Sequence, residues 1–388
     1  MLNYVDESLK QELLNLSRYI YEHPELGYEE RLSSAAHVEL LRKHGFEVEY
    51  GYDGIETGFR AEYVNGNGGP TIAYLAEYDA LPQVGHGCGH NILGTLSTGA
   101  AIHLKENIGD TKGRIVVIGT PAEETDGAKV KYAEDGVFKD IDAALISHPF
   151  YANVKSGISF ALKALRFTFI GVAAHAAANP ERGINALDAC ISAFSNIGLL
   201  RQQMLPTARV HGIITEGGTA PNTIPDLACA EFYIRATSKS YLQELADKVC
   251  DCAKAGALAA GARVEITEFE TGNDNLLTNN ALQECLCRNL EKVGICDIED
   301  AGEANGSTDV GNVSHVCPTI HPSFNIMAPG EVHSTHTDGF REATQREPAK
   351  ESLMKNVCAM AMAGKEIMDD PQVLAEVREE FEYAVAHD

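Results

Sequence analysis

Apolar residues recur at helical spacing at Leu9, Leu13, Leu16 and Ile20, behind an Asp6 suited to cap a helix N-terminus. His23-Pro24-Glu25-Leu26-Gly27 interrupts that helix, and a second runs to about Lys43 with Gly45 as its stop. Shorter apolar runs follow. Residues 46–50 and 57–64 read as strands, and 71–76 as a continuously apolar, buried one. The glycine cluster Asn65-Gly66-Asn67-Gly68-Gly69-Pro70 reads as a hairpin turn, because no Lys-Ser/Thr pair and helix follow to make it a phosphate loop. Residues 92 to about 106 predict a helix, and 114–120 and 141–147 predict buried strands. Strands alternating with helices, with polar residues just past the strand ends, predict an α/β sheet with a site at its carboxyl edge.

The pattern then changes. Residues 162–170 read as a strand, 183–204 as a helix, 209–215 and 227–235 as strands, 240–260 as a helix and 263–269 as a strand. That βαββαβ order is the ferredoxin-like split unit and is complete in itself. The expectation is therefore an inserted domain at 162–271, within a mixed-sheet catalytic domain formed by 1–161 and 272–388. The chain returns with a helix at 280–292, the polar stretch Gly306-Ser307-Thr308-Asp309 and a final helical pair from Ala349 onward.

Length and composition narrow the possibilities. A chain of 388 residues has room for two ordinary domains, and 44% apolar with 22% charged residues suits a folded protein. The net charge of −25 argues against nucleic acid or an anionic membrane as partner. Met1-Leu2-Asn3-Tyr4-Val5-Asp6 has neither a basic start nor an apolar core segment, and no apolar run is long enough to span a bilayer. With ten scattered cysteines, a reducing cytoplasmic setting is expected. Cys250, Cys252, Cys285 and Cys287 are expected to fill core rather than bind metal.

The candidate chemistry gathers at Gly85-His86-Gly87-Cys88-Gly89-His90-Asn91, just after the buried strand and Glu77-Tyr78-Asp79-Ala80-Leu81-Pro82. Glycines let a thiol and an imidazole two residues apart turn toward one point. A helix starting beside them would favour a thiolate. Downstream come Glu123-Glu124, His148 and then His333 and His336, either of which could reach a metal. Adjacent acids at a strand end are commonly a solvated loop. In a dinuclear hydrolase they divide the work: one binds metal while the other takes a proton from water and gives it to the leaving nitrogen. Thiolate, imidazole and carboxylate together suit zinc, manganese, cobalt or nickel. Two rival readings fit less well. A cysteine hydrolase with Cys88 as nucleophile and His86 or His90 as base leaves Glu123, Glu124, His148 and His336 idle. A silent conjugate-binding protein would lack one of the paired acids, and both are present.

With these residues in view, the chain resembles the dinuclear metallo-aminoacylase and metallocarboxypeptidase family, in its amidohydrolase branch, over nearly its whole length. The motifs that carry the resemblance are His23-Pro24-Glu25-Leu26-Gly27, Asp79-Ala80-Leu81-Pro82, the Cys88/His90 turn, Pro121-Ala122-Glu123-Glu124, Gly171-Val172-Ala173-Ala174-His175-Ala176-Ala177 and Ala220-Pro221-Asn222-Thr223-Ile224-Pro225. Asn91, Ser307-Thr308-Asp309-Val310-Gly311 and Ile320-His321-Pro322 look closer to the aminobenzoyl-glutamate and β-alanyl-lysine subgroup than to the auxin-conjugate and hippurate hydrolases. The resemblance implies two divalent ions, zinc or manganese ahead of cobalt or nickel, on Cys88, His90, Glu124, His148 and His336. His336 is preferred to His333 for its His336-Thr337-Asp338-Gly339-Phe340 motif. It further implies Glu123 as general base and Asp79 as an orienting group. His175 would meet the oxyanion from a partner subunit of a homodimer, through an inserted lid and dimerisation domain. Asn222 and Arg235 would hold the carboxylate of a small acyl amino acid or dipeptide.

Overall fold

The computed structural model describes Leu2 and residues 4–304 and 306–388. The chain forms two compact units. The first runs from the N-terminus to Ile158 and resumes over Leu276–Ala304 and Asp309–His387. The second comprises Ser159–Asn275 with Gly306, Ser307, Thr308 and Asp388.

In the first unit, α1 (Glu7–Glu22) begins where Asp6 Oδ1 accepts the backbone N–H groups of Ser8 and Leu9 at 2.8 and 3.1 Å. The chain continues through α2 (Arg31–Lys43), β1 (Glu47–Tyr50), β2 (Phe59–Asn65), β3 (Thr71–Ala76), α3 (His90–Glu106), β4 (Gly113–Gly119), α4 (Ala128–Asp135), β5 (Ala143–Leu145) and β6 (His148–Phe150). The second unit supplies β7 (Ala161–Ile170), α5 (Ala186–Leu200), β8 (Arg209–Glu216), β9 (Leu227–Ala236), α6 (Lys239–Ala260) and β10 (Arg263–Asn273). The first unit then resumes with α7 (Asn280–Lys292), α8 (Val310–Ser314), β11 (Thr319–Ile320), β12 (Ser323–Asn325), α9 (Asp338–Ala343), α10 (Glu347–Asp369) and α11 (Pro371–His387). Shorter strands are given below by residue range.

The principal sheet has the order β1-β2-β4-β3-β5-β11. Its last four strands are parallel, whereas β1 and β2 are antiparallel. Alternate residues of the parallel strands face opposite cores. Ile72, Tyr74, Ile115, Val117 and Leu145 join the side chains of α1, α3, α7 and α10, while Leu75, Val116, Ile118 and Ile146 meet α4 and α8. Burial on both faces explains the continuous apolar run of β3. Helix α3 is buried over all but its last two residues. At Gly94 any Cβ would strike the carbonyl of Glu77, so the glycine lets α3 lie directly on the chain leaving β3.

Two details differ from the sequence reading. The glycine cluster at 65–70 is not a hairpin turn, since β2 and β3 are separated by β4. The strand buried on both faces takes the central position, and the linker must cross the end of β4. There Pro70 O accepts from Arg114 N at 2.9 Å, and a Cβ on Gly69 would collide with the Lys112 carbonyl. The run 141–147 is also shorter than expected. It ends at Leu145, and from His148 the chain pairs with β12 in a separate four-stranded sheet.

The second unit is an antiparallel sheet of order β8-β9-β7-β10 with α5 and α6 on one face. Strand β9 alternates strictly, with Ala228, Ala230, Phe232, Ile234 and Ala236 turned to the helices. With its helices, this is the strand order of a ferredoxin-like βαββαβ unit.

One loop of the first unit is tied down in an unusual way. Between β4 and α4 the chain passes Ala122 with φ +64°, a left-handed conformation costly for a residue bearing a Cβ. Buried Glu30 secures it: Oε1 accepts Ala122 N at 2.8 Å and Oε2 accepts the Thr57 hydroxyl at 2.9 Å. Burial, reinforced by the charge of Asp79, pushes the Glu30 carboxyl from its ordinary 4.5 up to about 7. The folded state therefore holds this proton more tightly than the unfolded chain. The resulting stabilisation is complete below about pH 4.5 and is lost as pH rises through 7, a change on the order of 3 kcal/mol. Glu30→Gln keeps Ala122 N on its oxygen, lets its amide nitrogen donate to the Thr57 hydroxyl instead, and removes the titration. In metal-free protein, urea unfolding between pH 5 and pH 8 is expected to show wild type losing about 2–3 kcal/mol more stability than the variant. Parallel pH dependence of the two proteins would refute it.

Candidate active site

The carboxyl ends of the parallel strands deliver the candidate residues. Glu77 and Asp79 follow β3, Glu123 and Glu124 follow β4, and His148 begins β6 after β5. His321 follows β11. Cys88 lies in the turn before α3, and His90 is the first residue of that helix. Gly89, at φ +88°, makes the turn possible, because a Cβ there would lie 2.6 Å from the Pro149 ring.

Asp79, buried, organises the centre. Its Oδ1 lies 2.8 Å from His90 Nδ1, which also faces the Asp79 carbonyl at 3.1 Å, so Nδ1 carries the proton and Nε2 is turned the other way. Its Oδ2 accepts the backbone N–H of Glu124 at 3.0 Å. His148 Nδ1 faces the Pro149 carbonyl at 2.8 Å, leaving Nε2 directed at Cys88 Sγ, 3.4 Å away. His336 enters with φ +65°, its N–H donating to Gly87 O at 2.8 Å, and its Nε2 lies 3.6 Å from Glu124 Oε1. Its side chain is 54% exposed and stands at the mouth of the site.

Three overlapping sets of donor atoms result: Cys88, His90 and His148; Cys88, Glu124 and His336; His90, Glu123 and Glu124. Within each set the atoms lie within 4.8 Å of one another. His90 Nε2 and Glu124 Oε1 are buried without a hydrogen-bond partner among the described residues, as expected of atoms reserved for a cation. This donor set fits a pair of divalent ions, with Cys88, His90 and Glu124 each shared between sets. His333 does not join it. Its Nε2 pairs with Glu331 Oε1 at 2.8 Å, an oxygen that Arg346 also grips at 2.6 Å.

The electrostatics match this arrangement. Burial, with His90 and His321 nearby, pulls His148 down to about 3, and burial pulls His321 down to about 4, so both are neutral imidazoles at neutral pH. Burial pushes the Glu123 carboxyl well above its usual range, and Glu77 and Asp309 add to the effect. In the metal-free site the helix dipole does not lower the Cys88 thiol, whose proton a bound divalent ion would displace. Burial outweighs the favourable influence of His90 and raises the thiol. A buried thiol held in its neutral form is a poor nucleophile, which also disfavours the cysteine-hydrolase alternative.

The remaining expected residues belong to the second unit. His175 lies in the short strand Ala174–His175, paired with Thr223–Ile224. Its Nδ1 accepts the N–H groups of Ala177 and Ala178 at 3.3 and 3.2 Å, leaving Nε2 to carry the proton. The carbonyl of Asn222 receives Ala176 N at 2.9 Å, so this turn sits beside His175. Arg235, on β9, donates from Nη1 to Ser307 Oγ at 2.8 Å, with its guanidinium 5.5 Å from the Tyr233 ring centre.

Sequence reasoning missed a group of residues beside the donors: the buried Glu77, Lys129 and Asp309, and the half-buried His321. Lys129 Nζ lies 2.8 Å from Glu77 Oε1 and 2.5 Å from Asp309 Oδ1. Glu77 and His321 carried the signal used for the others, a polar residue just past an apolar strand. Lys129 carried none, as a lone lysine near a helix start reads as surface.

Residues 73–350 match the family described as Peptidase family M20/M25/M40. The chain is 38% identical to the Xaa-Arg dipeptidase of Mus musculus over 397 residues, 97% of this chain and 90% of that protein. It is 33% identical to a p-aminobenzoyl-glutamate hydrolase component of Escherichia coli over 316 residues, 75% of this chain and 65% of that protein. The fold is similar to that of a dinuclear metal-binding M20 peptidase from Bacillus subtilis. Their TM-score is 0.72 at 22% identity, covering 94% of this chain and 99% of the other. The chain belongs to peptidase family M20/M25/M40 and is a metal-dependent hydrolase of peptide or amide bonds.

Proposed function

We propose that the protein cleaves the amide bond of small dipeptides or N-acyl amino acids, with Glu123 as general base beside cations held by Cys88, His90, Glu124, His148 and His336. The observation that carries this reading is the asymmetry of the paired acids. Glu124 belongs to two of the donor sets and is fixed through its backbone by Asp79, whereas Glu123 belongs to one. Two divalent ions bound there would polarise the scissile carbonyl and make a water acidic enough to surrender a proton at neutral pH. Zinc or manganese suits the mixed sulfur, nitrogen and oxygen donors, with cobalt or nickel as substitutes.

Glu123 takes the proton of the attacking water and returns it to the leaving nitrogen. Burial raises the affinity of Glu123 for the proton it must carry between the two positions. Asp79 keeps His90 in one tautomer. In the second unit, His175 presents Nε2–H to the oxyanion, while Arg235 and Asn222 hold the substrate carboxylate. The Xaa-Arg dipeptidase and p-aminobenzoyl-glutamate hydrolase relatives support a substrate with a free amino-acid carboxylate on the leaving side.

We infer a homodimer in which His175 serves the partner's site. Strand β8 is an open sheet edge whose Ile213 and Ile214 are 65% and 41% exposed, an arrangement suited to pairing with a second copy. Among the described residues, no helix is long and apolar enough to cross a membrane. All ten cysteines are free, which supports a reducing, cytoplasmic setting.

Three outcomes follow. Exhaustive chelation abolishes hydrolysis of a dipeptide panel, and divalent ions restore it; full activity after demetallation refutes the mechanism. Glu123→Gln lowers kcat by about a thousandfold or more while metal content stays at the wild-type level; a lost ion would place Glu123 among the ligands instead. His175→Ala lowers kcat by about a hundredfold or more with a nearly unchanged thermal midpoint, since the side chain is exposed and the N–H groups of Ala177 and Ala178 that it accepts are exposed too; unaltered turnover removes it from the mechanism.

A further inference from the structure

The proposed mechanism leaves a fully buried lysine and its two carboxylates without a task. Lys129 lies one residue inside α4, directly after the loop that carries Glu123 and Glu124. Asp309 holds it at both ends: Oδ1 takes the ammonium at 2.5 Å, and Oδ2 accepts the backbone N–H of the same residue at 3.2 Å. The approach of Asp309 needs Gly127, where a Cβ would lie 2.8 Å from the carboxylate. The ammonium is thereby fixed with its free side against Glu77 Oε1, 2.8 Å away. That contact is an ion pair rather than an aligned hydrogen bond, as neither Glu77 oxygen has a hydrogen-bond partner among the described residues.

The second oxygen of Glu77 gives the lysine its meaning. Oε2 lies 3.3 Å from His90 Nε2, the nitrogen that Asp79 leaves free for a cation. A buried carboxylate at that distance is within a small rotation of any ion that His90 holds. Carboxylates are strong ligands for the divalent ions this site suits, and catalytic centres depend on coordination positions that the protein does not fill. An isolated carboxylate in a buried pocket must find a cation or a proton. Here the cation it finds is an ammonium, which cannot be displaced from between two acids without stranding one of them.

We propose that Lys129 is a positioning residue that restrains Glu77 from ligating the catalytic ions, keeping coordination space open for substrate and water. The inference rests on the metal-site reading above and assigns a role to residues that reading leaves unused. Asp309 acts one step further back by fixing the lysine. His321, whose Nε2 is buried without a partner and whose ring meets His148 edge-on at 5.8 Å, walls the same pocket.

The test uses the full-length protein loaded with cobalt(II), as wild type, Glu77→Gln, Lys129→Met and the double variant. Metal content, visible absorption and steady-state kinetics are read on a dipeptide that wild type turns over. Glu77→Gln is expected to bind as much cobalt as wild type and to keep kcat within about threefold, because the removed carboxylate ligates nothing. Lys129→Met is expected to keep its metal but to absorb more weakly, the mark of a higher coordination number. Its kcat should fall by about a hundredfold, with KM changed far less. Adding Glu77→Gln to Lys129→Met should restore both absorption and kcat to about the Glu77→Gln level, a rescue that a purely structural lysine would not give. A double variant as slow as Lys129→Met overturns the proposal. So does loss of an ion from Glu77→Gln, a measurement that decides the matter even if Lys129→Met does not fold. Wild type that neither binds cobalt nor hydrolyses any dipeptide would overturn the underlying metal-site reading instead.

Discussion

The organising constraint of the first unit is a concentration of buried negative charge. Glu30, Glu77, Asp79 and Asp309 are nearly or fully inaccessible, and Glu123 and Glu124 lie beside them, while Lys129 is the single fully buried lysine in the group. Burying carboxylates without compensation costs several kcal/mol apiece. The surrounding structure meets that cost in three ways: backbone N–H groups take Glu30, Asp79 and Asp309, Lys129 pairs with two acids, and burial raises Glu30 toward its protonated form. The donors left over point at one another around a shared space. Divalent cations are the remaining element that balances the charge, and metal dependence is therefore a property of the folding problem as well as of the chemistry.

Backbone geometry serves the same end. Four parallel strands stop at one edge, so side chains far apart in sequence emerge together. Two residues bearing a Cβ, Ala122 and His336, sit at positive φ beside the cluster. Such conformations persist where neighbours over-determine them. For Ala122 the clamp is Glu30, and for His336 it is the hydrogen bond to Gly87, within the turn that also carries Cys88. The thiol and the last histidine are thus held by one short piece of backbone, which keeps their separation fixed although His336 is half exposed.

Much of this was legible in the sequence where local patterns decided the outcome. The apolar run of β3, the cap at Asp6 and the βαββαβ alternation are local features, and the elements appear close to where they were expected. Cys88, His90, Glu123, Glu124 and His148 announced themselves as polar residues at strand ends between glycines and prolines. Choosing His336 over His333 required a motif, because one-dimensional spacing cannot reveal that Glu331 and Arg346 occupy the other histidine. The failures share a cause. A hairpin at 65–70 and a helix dipole sufficient to lower the Cys88 thiol were both inferred from neighbouring residues, while distant ones decide: the insertion of β4 between β2 and β3, and the depth at which the metal-free thiol is buried. Lys129 was invisible for the same reason, since its partners lie 52 residues before it and 180 after it.

Asp79 ties the donor residues to one another. One oxygen sets the tautomer of His90, and the other holds the backbone of Glu124, so the histidine that opens α3 and an acid that follows β4 are registered against a single carboxylate. Both of its oxygens are engaged in those tasks, and it is fully buried, which leaves it no lone pair well placed for a proton transfer with substrate. His90 outweighs the cost of burial and keeps Asp79 below its usual carboxylate range, so it remains the acceptor both contacts require. The neighbouring acids thus have separate duties imposed by their surroundings. Asp79 aligns, Glu124 is steadied by its backbone to present an unpartnered oxygen, and Glu123, raised rather than lowered, is the acid that the proposed mechanism assigns the proton.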